Sequence, residues 1–155
     1  MTPEEFQTLL APVAARIRGK TLDKALQSDL NQAFPADGET FKVIQRACHD
    51  AIAAGWMCNR EAGGIRYGRV VKANDALSGC SVDVVEMENL KGPHHRHPNG
   101  EIDMIMPISA GAKFDGQGAG WLVYGPDSAH HPTVSDGKAL VLYLLPEGAI
   151  EFTRT

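Results

Sequence analysis

Cysteine is scarce in this chain. There are three, Cys48, Cys58 and Cys80, an odd number with no CxxC pair and no spacing that fits a zinc finger. That excludes a disulfide scaffold and a thiolate metal site, and fits reduced thiols in the cytosol. Cys48 falls on a predicted apolar helix face, where a buried, inert thiol is expected rather than a nucleophile. Basic charge is also in short supply: 15 Lys and Arg stand against 19 Asp and Glu, for a net charge of −4. Neither a nucleic acid nor an anionic membrane is an expected partner for such a chain. No apolar run approaches the ~18 residues of a membrane helix. The acidic start, Met1-Thr2-Pro3-Glu4-Glu5, lacks the apolar stretch of a secretory signal, so a cytoplasmic protein is expected. Repeats, low-complexity tracts and long linkers are missing too. What remains is an ordinary globular composition, 43% hydrophobic and 22% charged. At this length one domain can bury roughly 70% of its unfolded surface.

Two halves of different periodicity follow. Thr2-Pro3-Glu4-Glu5 predicts a capping box with Pro in the first turn, and Phe6, Leu9, Leu10, Val13 and Ile17 continue at helical spacing until Gly19. A second helix is predicted from Leu22 to about Ala33, with Leu22, Leu26 and Leu30 on one face. A third carries Phe41, Ile44, Cys48, Ala51 and Ile52 and ends at Gly55. These stripes should pack on the rest of the chain or on a sister subunit. From Ile65 the pattern changes to short β-like runs: 65–71, 81–87, 102–108, 121–124, 139–145 and 150–153. Turn signals such as Pro98-Asn99-Gly100 and Ser135-Asp136-Gly137 separate them. The expectation is a mainly β protein with N-terminal helices. Residues 1–58 form a helical segment, and residues 59–155 form a sandwich or barrel.

The histidines carry the chemistry. Five of the 6 sit in two tight groups, His94, His95 and His97 beside Glu101, then His130 and His131. Side chains alternate faces along a strand, so His95 and His97 point the same way and His94 points away. If Pro98-Asn99-Gly100 turns the chain back, Glu101 opens the next strand facing the same interior, and Asp103 shares its parity. A second interior carboxylate needs a partner, which makes Asp103 either a candidate acid or base or half of a structural salt bridge. Arg60, Arg66, Arg69 and Arg96 are candidate clamps for an anionic substrate. Arg66 and Arg69 have opposite parity, so at most one faces inward. Tyr124 and Trp121 lie where an aromatic ring could stack, with core packing the expected role for Trp121.

His95-x-His97-x3-Glu101 resembles the first motif of the cupin superfamily. Gly120, Pro126 and then His130 or His131 resemble the second, with Ser128 and Ser135 departing from its usual Gly and Asn, and Asn89 from the Gly that opens the first. The resemblance implies a single jelly-roll β-barrel after about three helices. It also implies a divalent metal (Zn, Fe, Mn, Co or Ni) on His95, His97, Glu101 and one further histidine. Strict motif spacing favours His131; a shift of one residue selects His130 and reverses the face.

Longer stretches are similar to the 4-hydroxylaminobenzoate lyases of nitrobenzoate degradation. They are Gly55 to Arg69, Gly92 to Asp103, Gly120 to Pro126 and Leu140 to Gly148, and the similarity spans nearly the whole chain. It implies conversion of 4-hydroxylaminobenzoate and water to 3,4-dihydroxybenzoate and ammonia. From the cupin pattern and strand parity, Asp103, Glu101 and His97 are candidate catalytic residues, and Arg66, Arg69, Arg96 and Tyr124 candidate substrate contacts. Other metal-dependent cupins, such as a dioxygenase on a small aromatic, and a non-catalytic small-molecule-binding cupin stand as alternatives. A homodimer is expected, since single cupin barrels expose sheet edges.

Overall fold

The computed structural model describes residues 1–153. Four helices precede the strands: α1 (Pro3–Leu9), α2 (Ala11–Ile17), α3 (Lys24–Ala33) and α4 (Glu39–Ala54). The capping box forms as read, with the Glu5 N–H donating to Thr2 Oγ1 at 3.1 Å and the Thr2 N–H donating to Glu5 Oε1 at 2.9 Å. The single helix expected up to Ile17 breaks at Leu10. Pro12 has no N–H to offer the Thr8 carbonyl, so the Leu10 N–H turns to Gln7 O and a new helix starts with Pro12 in its first turn. The apolar stripe survives the break, since Phe6, Leu10, Val13, Ala14 and Ile17 are all buried. Asp23 caps α3 by accepting from the Leu26 N–H, which leaves Leu22 outside the helix.

The strands are β1 (Arg60–Ala62), β2 (Ile65–Val71), β3 (Cys80–Lys91), β4 (His95–His97), β5 (Glu101–Pro107), β6 (Lys113–Phe114), β7 (Gly120–Tyr124), β8 (Ser128–His130), β9 (Thr133–Pro146) and β10 (Glu151–Phe152). They form two antiparallel sheets. The larger runs β1-β2-β3-β9-β5-β7, with β6 paired to β9, and the smaller runs β10-β4-β8. This is a mainly β, two-sheet architecture with N-terminal helices.

The large sheet has two apolar faces. Val82, Val84, Ile102, Met104, Leu140 and Leu142 pack in one cluster with the stripes of the four helices. The opposite face carries Met87, Ile105, Leu122, Val141 and Tyr143 in a second cluster. Because both faces are covered, β5 reads as a near-continuous buried run. Each large side chain buried in these clusters contributes about 1.5–3 kcal/mol of transfer free energy. The helical stripes are thereby covered by the chain's own sheet.

Two turn signals have different outcomes. Gly100 turns β4 into β5 with φ 87°, and a Cβ there would lie 2.7 Å from Tyr124 O, so a side chain is excluded both by conformation and by space. Asp136-Gly137, by contrast, does not end a strand. It is a bulge inside β9, where the register with β3 slips between Glu88 and Leu90, and the Gly137 N–H donates to Asn89 Oδ1. Asn89 itself has φ 43°, a left-handed conformation that Asn tolerates. That accounts for its standing where the cupin motif has Gly.

Candidate metal centre and cleft

Strand pairing decides which side chains meet. β4 and β8 are antiparallel with His95 opposite His130 and His97 opposite Ser128. Directly opposed residues share a face, so His95, His97 and His130 all project inward. Glu101, the first residue of β5, projects at them from the large sheet. His95 Nε2 lies 3.0 Å from His130 Nε2, and His97 Nε2 lies 3.1 Å from Glu101 Oε1. Glu101 Oε2 is 3.6 Å from His130 Nε2, and Glu101 Oε1 is 3.9 Å from His95 Nε2. The four donor atoms fall within 4.8 Å of one another. His131, which motif spacing favoured, is one residue past the end of β8 and turns away. Its Nδ1 lies 3.2 Å from Gly92 O, and its ring packs against His94. His94 faces outward, as its parity required, and pairs with Thr153.

Further polar groups hold this cluster in place. His97 Nδ1 lies 3.0 Å from Ser128 Oγ, so the Ser that departs from the usual motif Gly steadies a histidine. His130 Nδ1 lies 2.5 Å from Asp115 Oδ2. A carboxylate only accepts, so His130 donates from Nδ1 and leaves the Nε2 lone pair facing the centre. Asp115 also accepts from Tyr124 Oη at 2.6 Å and from the Thr133 N–H at 2.9 Å. Burial alone would raise the Asp115 carboxyl. The bonds from His130 and Tyr124, with that from the Thr133 amide, outweigh burial and hold it below the usual range. Asp115 was not singled out in the sequence. Its only signal there is the turn pair Asp115-Gly116, and nothing local places that turn beside a histidine fifteen residues on.

The donor set fits a divalent cation. His97 Nε2 and both Glu101 oxygens are buried without a hydrogen-bond partner. Two imidazole nitrogens also face each other at hydrogen-bond distance beside a carboxylate. Such a set is costly unless a cation satisfies it. Burial pushes His95 down to about 4 despite the pull of Glu101, which keeps it neutral and able to ligate. Replacing Asp115 with Asn should free the His130 ring to rotate. We expect metal affinity and kcat/KM to fall together by about 10–100-fold, checked by competitive metal titration alongside turnover. Unchanged affinity would mean that Asp115 does not orient His130.

Asp103 lies on the same face of β5 as Glu101 and is wholly buried, with no hydrogen-bond partner for either oxygen. Burial first, and the Glu101 charge second, push its carboxyl well above the usual range. Tyr143, its partner on β9, is buried beside it, and burial likewise raises its hydroxyl.

A cleft of about 1020 Å³ opens beside the cluster, and His95 is the one histidine among its lining residues. Val85, Met87 and Tyr143 line it as well. The predicted arginine clamps disperse. Arg66 lies outside the cleft lining and pairs with Glu86. Arg96 alternates with His95 and His97, so it faces out, where it pairs with Asp127 and Glu151. Arg69 does line the cleft, in keeping with its opposite parity to Arg66. Its guanidinium is engaged by both oxygens of Asp83 and by Gly148 O. Tyr124 is not in the cleft wall. Its hydroxyl serves Asp115 and its ring centroid lies 4.7 Å from that of His130. Trp121 is buried in the core cluster against Phe41 and Phe34. The three thiols are free and buried, and burial raises each, Cys58 to about 12 and Cys80 to about 11, which leaves them unreactive.

Among solved structures, the chain is similar to an RmlC-like cupin protein from Ralstonia eutropha JMP134, with TM-score 0.46 and 9% identity over 60% of this chain and 62% of that one. It is also similar to the DMSP lyase DddQ from Ruegeria pomeroyi DSS-3, with TM-score 0.41 and 20% identity over 96% and 95%. Two curated relatives match at higher identity. A 4-hydroxylaminobenzoate lyase of Pseudomonas putida is 30% identical over 96% of this chain and 94% of its own. Another, from Nocardioides sp. (strain LMS-CY), is 29% identical over 99% and 96%. The family model described as PnbB, 4-hydroxylaminobenzoate lyase, matches residues 8–152, so the chain belongs to the 4-hydroxylaminobenzoate lyase family.

Proposed function

We propose that the chain converts 4-hydroxylaminobenzoate and water to 3,4-dihydroxybenzoate and ammonia, as a step in bacterial nitroaromatic breakdown. The observation that carries this reading is the family match over residues 8–152, nearly the whole chain. The buried cluster of imidazoles and carboxylates beside an open cleft supports it. The reaction is redox-neutral: nitrogen loses its oxygen and a ring carbon gains one. The N–O bond breaks with a proton delivered to the departing hydroxide, which leaves as water. A second water adds to the ring carbon beside the nitrogen and gives up a proton. A third hydrolyses the resulting imine, releasing ammonia, and the ring regains aromaticity. Net uptake is one water.

The chain's residues suit the two proton transfers. Asp103, held protonated by burial and by Glu101, supplies the proton for N–O cleavage by way of Glu101 on the same strand face. His97, steadied by Ser128 through Nδ1, presents Nε2 to the centre and can take up the proton from the attacking water there when that nitrogen is not holding an ion. A divalent ion held by His95, His97, Glu101 and His130 would add Lewis-acid polarisation at this end of the cleft.

Incubating metal-replete protein anaerobically with 4-hydroxylaminobenzoate, and following both products by chromatography, tests the reading. We expect 3,4-dihydroxybenzoate and ammonia in equal amounts without oxygen. A requirement for oxygen, or no turnover at all, overturns it.

A further inference from the structure

The cleft bears net positive charge. Arg60, Arg69 and Lys91 line it against Asp83 alone, so two positive charges are uncompensated in a protein whose net charge is −4. Of the four arginines that the sequence offered as clamps, three are engaged: Arg66 by Glu86, Arg69 by Asp83 and Arg96 by Asp127 and Glu151. Arg60 alone both lines the cleft and makes no ion pair among the described residues. It stands on β1, the edge strand of the large sheet, opposite Tyr67 of β2. Arg60 and Lys91 are exposed, whereas His95 and Met87 are buried, so the cations mark the mouth and the histidine marks the floor. Two aromatic side chains in the same lining, Tyr67 and Phe152, are 36% and 69% exposed. Apolar rings bare to water at the rim of a cleft are surface that a flat aromatic ligand can cover.

We propose that Arg60 is the anchor for the carboxylate of an aromatic monocarboxylic acid, with Lys91 adding attraction at the mouth. The ring then lies along Tyr67 and Phe152, and its para substituent points toward His95. The assignment rests on the proposed reaction for the identity of that substituent, but not for the binding step. A guanidinium offers two parallel N–H donors to a carboxylate, which fixes direction as well as charge. A para-disubstituted ring held at one end presents the other at a defined depth.

The test compares metal-replete wild type, Arg60→Ala, Arg60→Lys and Lys91→Ala. Calorimetry with 4-aminobenzoate, an unreactive aromatic acid, is paired with aniline, which lacks the carboxylate. Turnover of 4-hydroxylaminobenzoate is paired with phenylhydroxylamine. Arg60→Ala should weaken 4-aminobenzoate binding, and raise KM for 4-hydroxylaminobenzoate, by at least about tenfold with little change in kcat. It should leave aniline and phenylhydroxylamine unaffected, and Arg60→Lys should recover part of the loss. Lys91→Ala should give a smaller loss that shrinks with added salt. Equal 4-aminobenzoate affinity in wild type and Arg60→Ala overturns the anchor, as does an effect of Lys91→Ala alone or failure of wild type to bind 4-aminobenzoate. If 4-aminobenzoate binding depends on Arg60 but nothing turns over, the anchor stands and the proposed reaction falls.

Discussion

Replacing His130 with Ala should lower kcat/KM by about 10²–10⁴-fold, the usual worth of a positioned acid–base or ligand group, and should strip the chain of divalent metal after dialysis. His131→Ala should leave both within about twofold, as changes away from the cluster do. The two residues are neighbours of identical chemistry, so the comparison isolates direction. His130 lies opposite His95 in the β4–β8 ladder, 3.0 Å away between Nε2 atoms, and is tethered by Asp115. His131 bonds a backbone carbonyl and packs on His94, half-buried and away from the cluster. Metal content, measured after gel filtration, separates loss of the ion from loss of a proton carrier. The reverse pattern, with His131→Ala inactive and His130→Ala intact, would mean that β8 pairs one residue out of register.

The same pair of residues shows where the sequence is legible and where it stops. The parity of His95 and His97, the turn at Gly100 and the inward Glu101 are all local, set by alternation along a strand and by one glycine that must lack a side chain. They could be read directly. The choice between His130 and His131 depends on how β8 registers against β4, thirty-odd residues earlier in the chain. A one-residue slip in register reverses every face, and motif spacing does not fix it. Helices showed the same division. Their apolar stripes and caps were visible, but the break at Leu10 required weighing Pro12 against an otherwise unbroken period. The arginine clamps were hard to choose among for a different reason. Charge complementarity among Arg66, Arg69, Arg96 and their carboxylates is a tertiary fact. An arginine's availability is known only once its neighbours are. Asp115 was hidden for that reason too, because its three hydrogen bonds come from β7, β8 and β9.

Asp103→Asn should produce opposite effects on activity and stability. Asn preserves the shape of the side chain but holds no transferable proton, so kcat should fall by about 10²–10⁴-fold. The metal should be retained, since Asp103 is not among the four converging donors. Stability should rise. Asp103 is fully buried, and burial together with Glu101 raises its carboxyl well above the unfolded value of about 3.9. Below that value both states are protonated, and the native state suffers no charge penalty. As pH climbs toward the folded value, the native state holds a proton that the unfolded state has released, so stability declines through that window. Asn does not titrate. Its advantage in metal-free protein should therefore be small near pH 4 and grow toward pH 8, read as a rise in Tm of roughly 2–4 °C per kcal/mol for a chain near this size. A variant that loses activity and also loses stability at every pH would identify Asp103 as a structural partner in the sheet interior. A variant more stable at high pH yet slow would identify a carboxyl kept at an energetic disadvantage because the chemistry needs its proton.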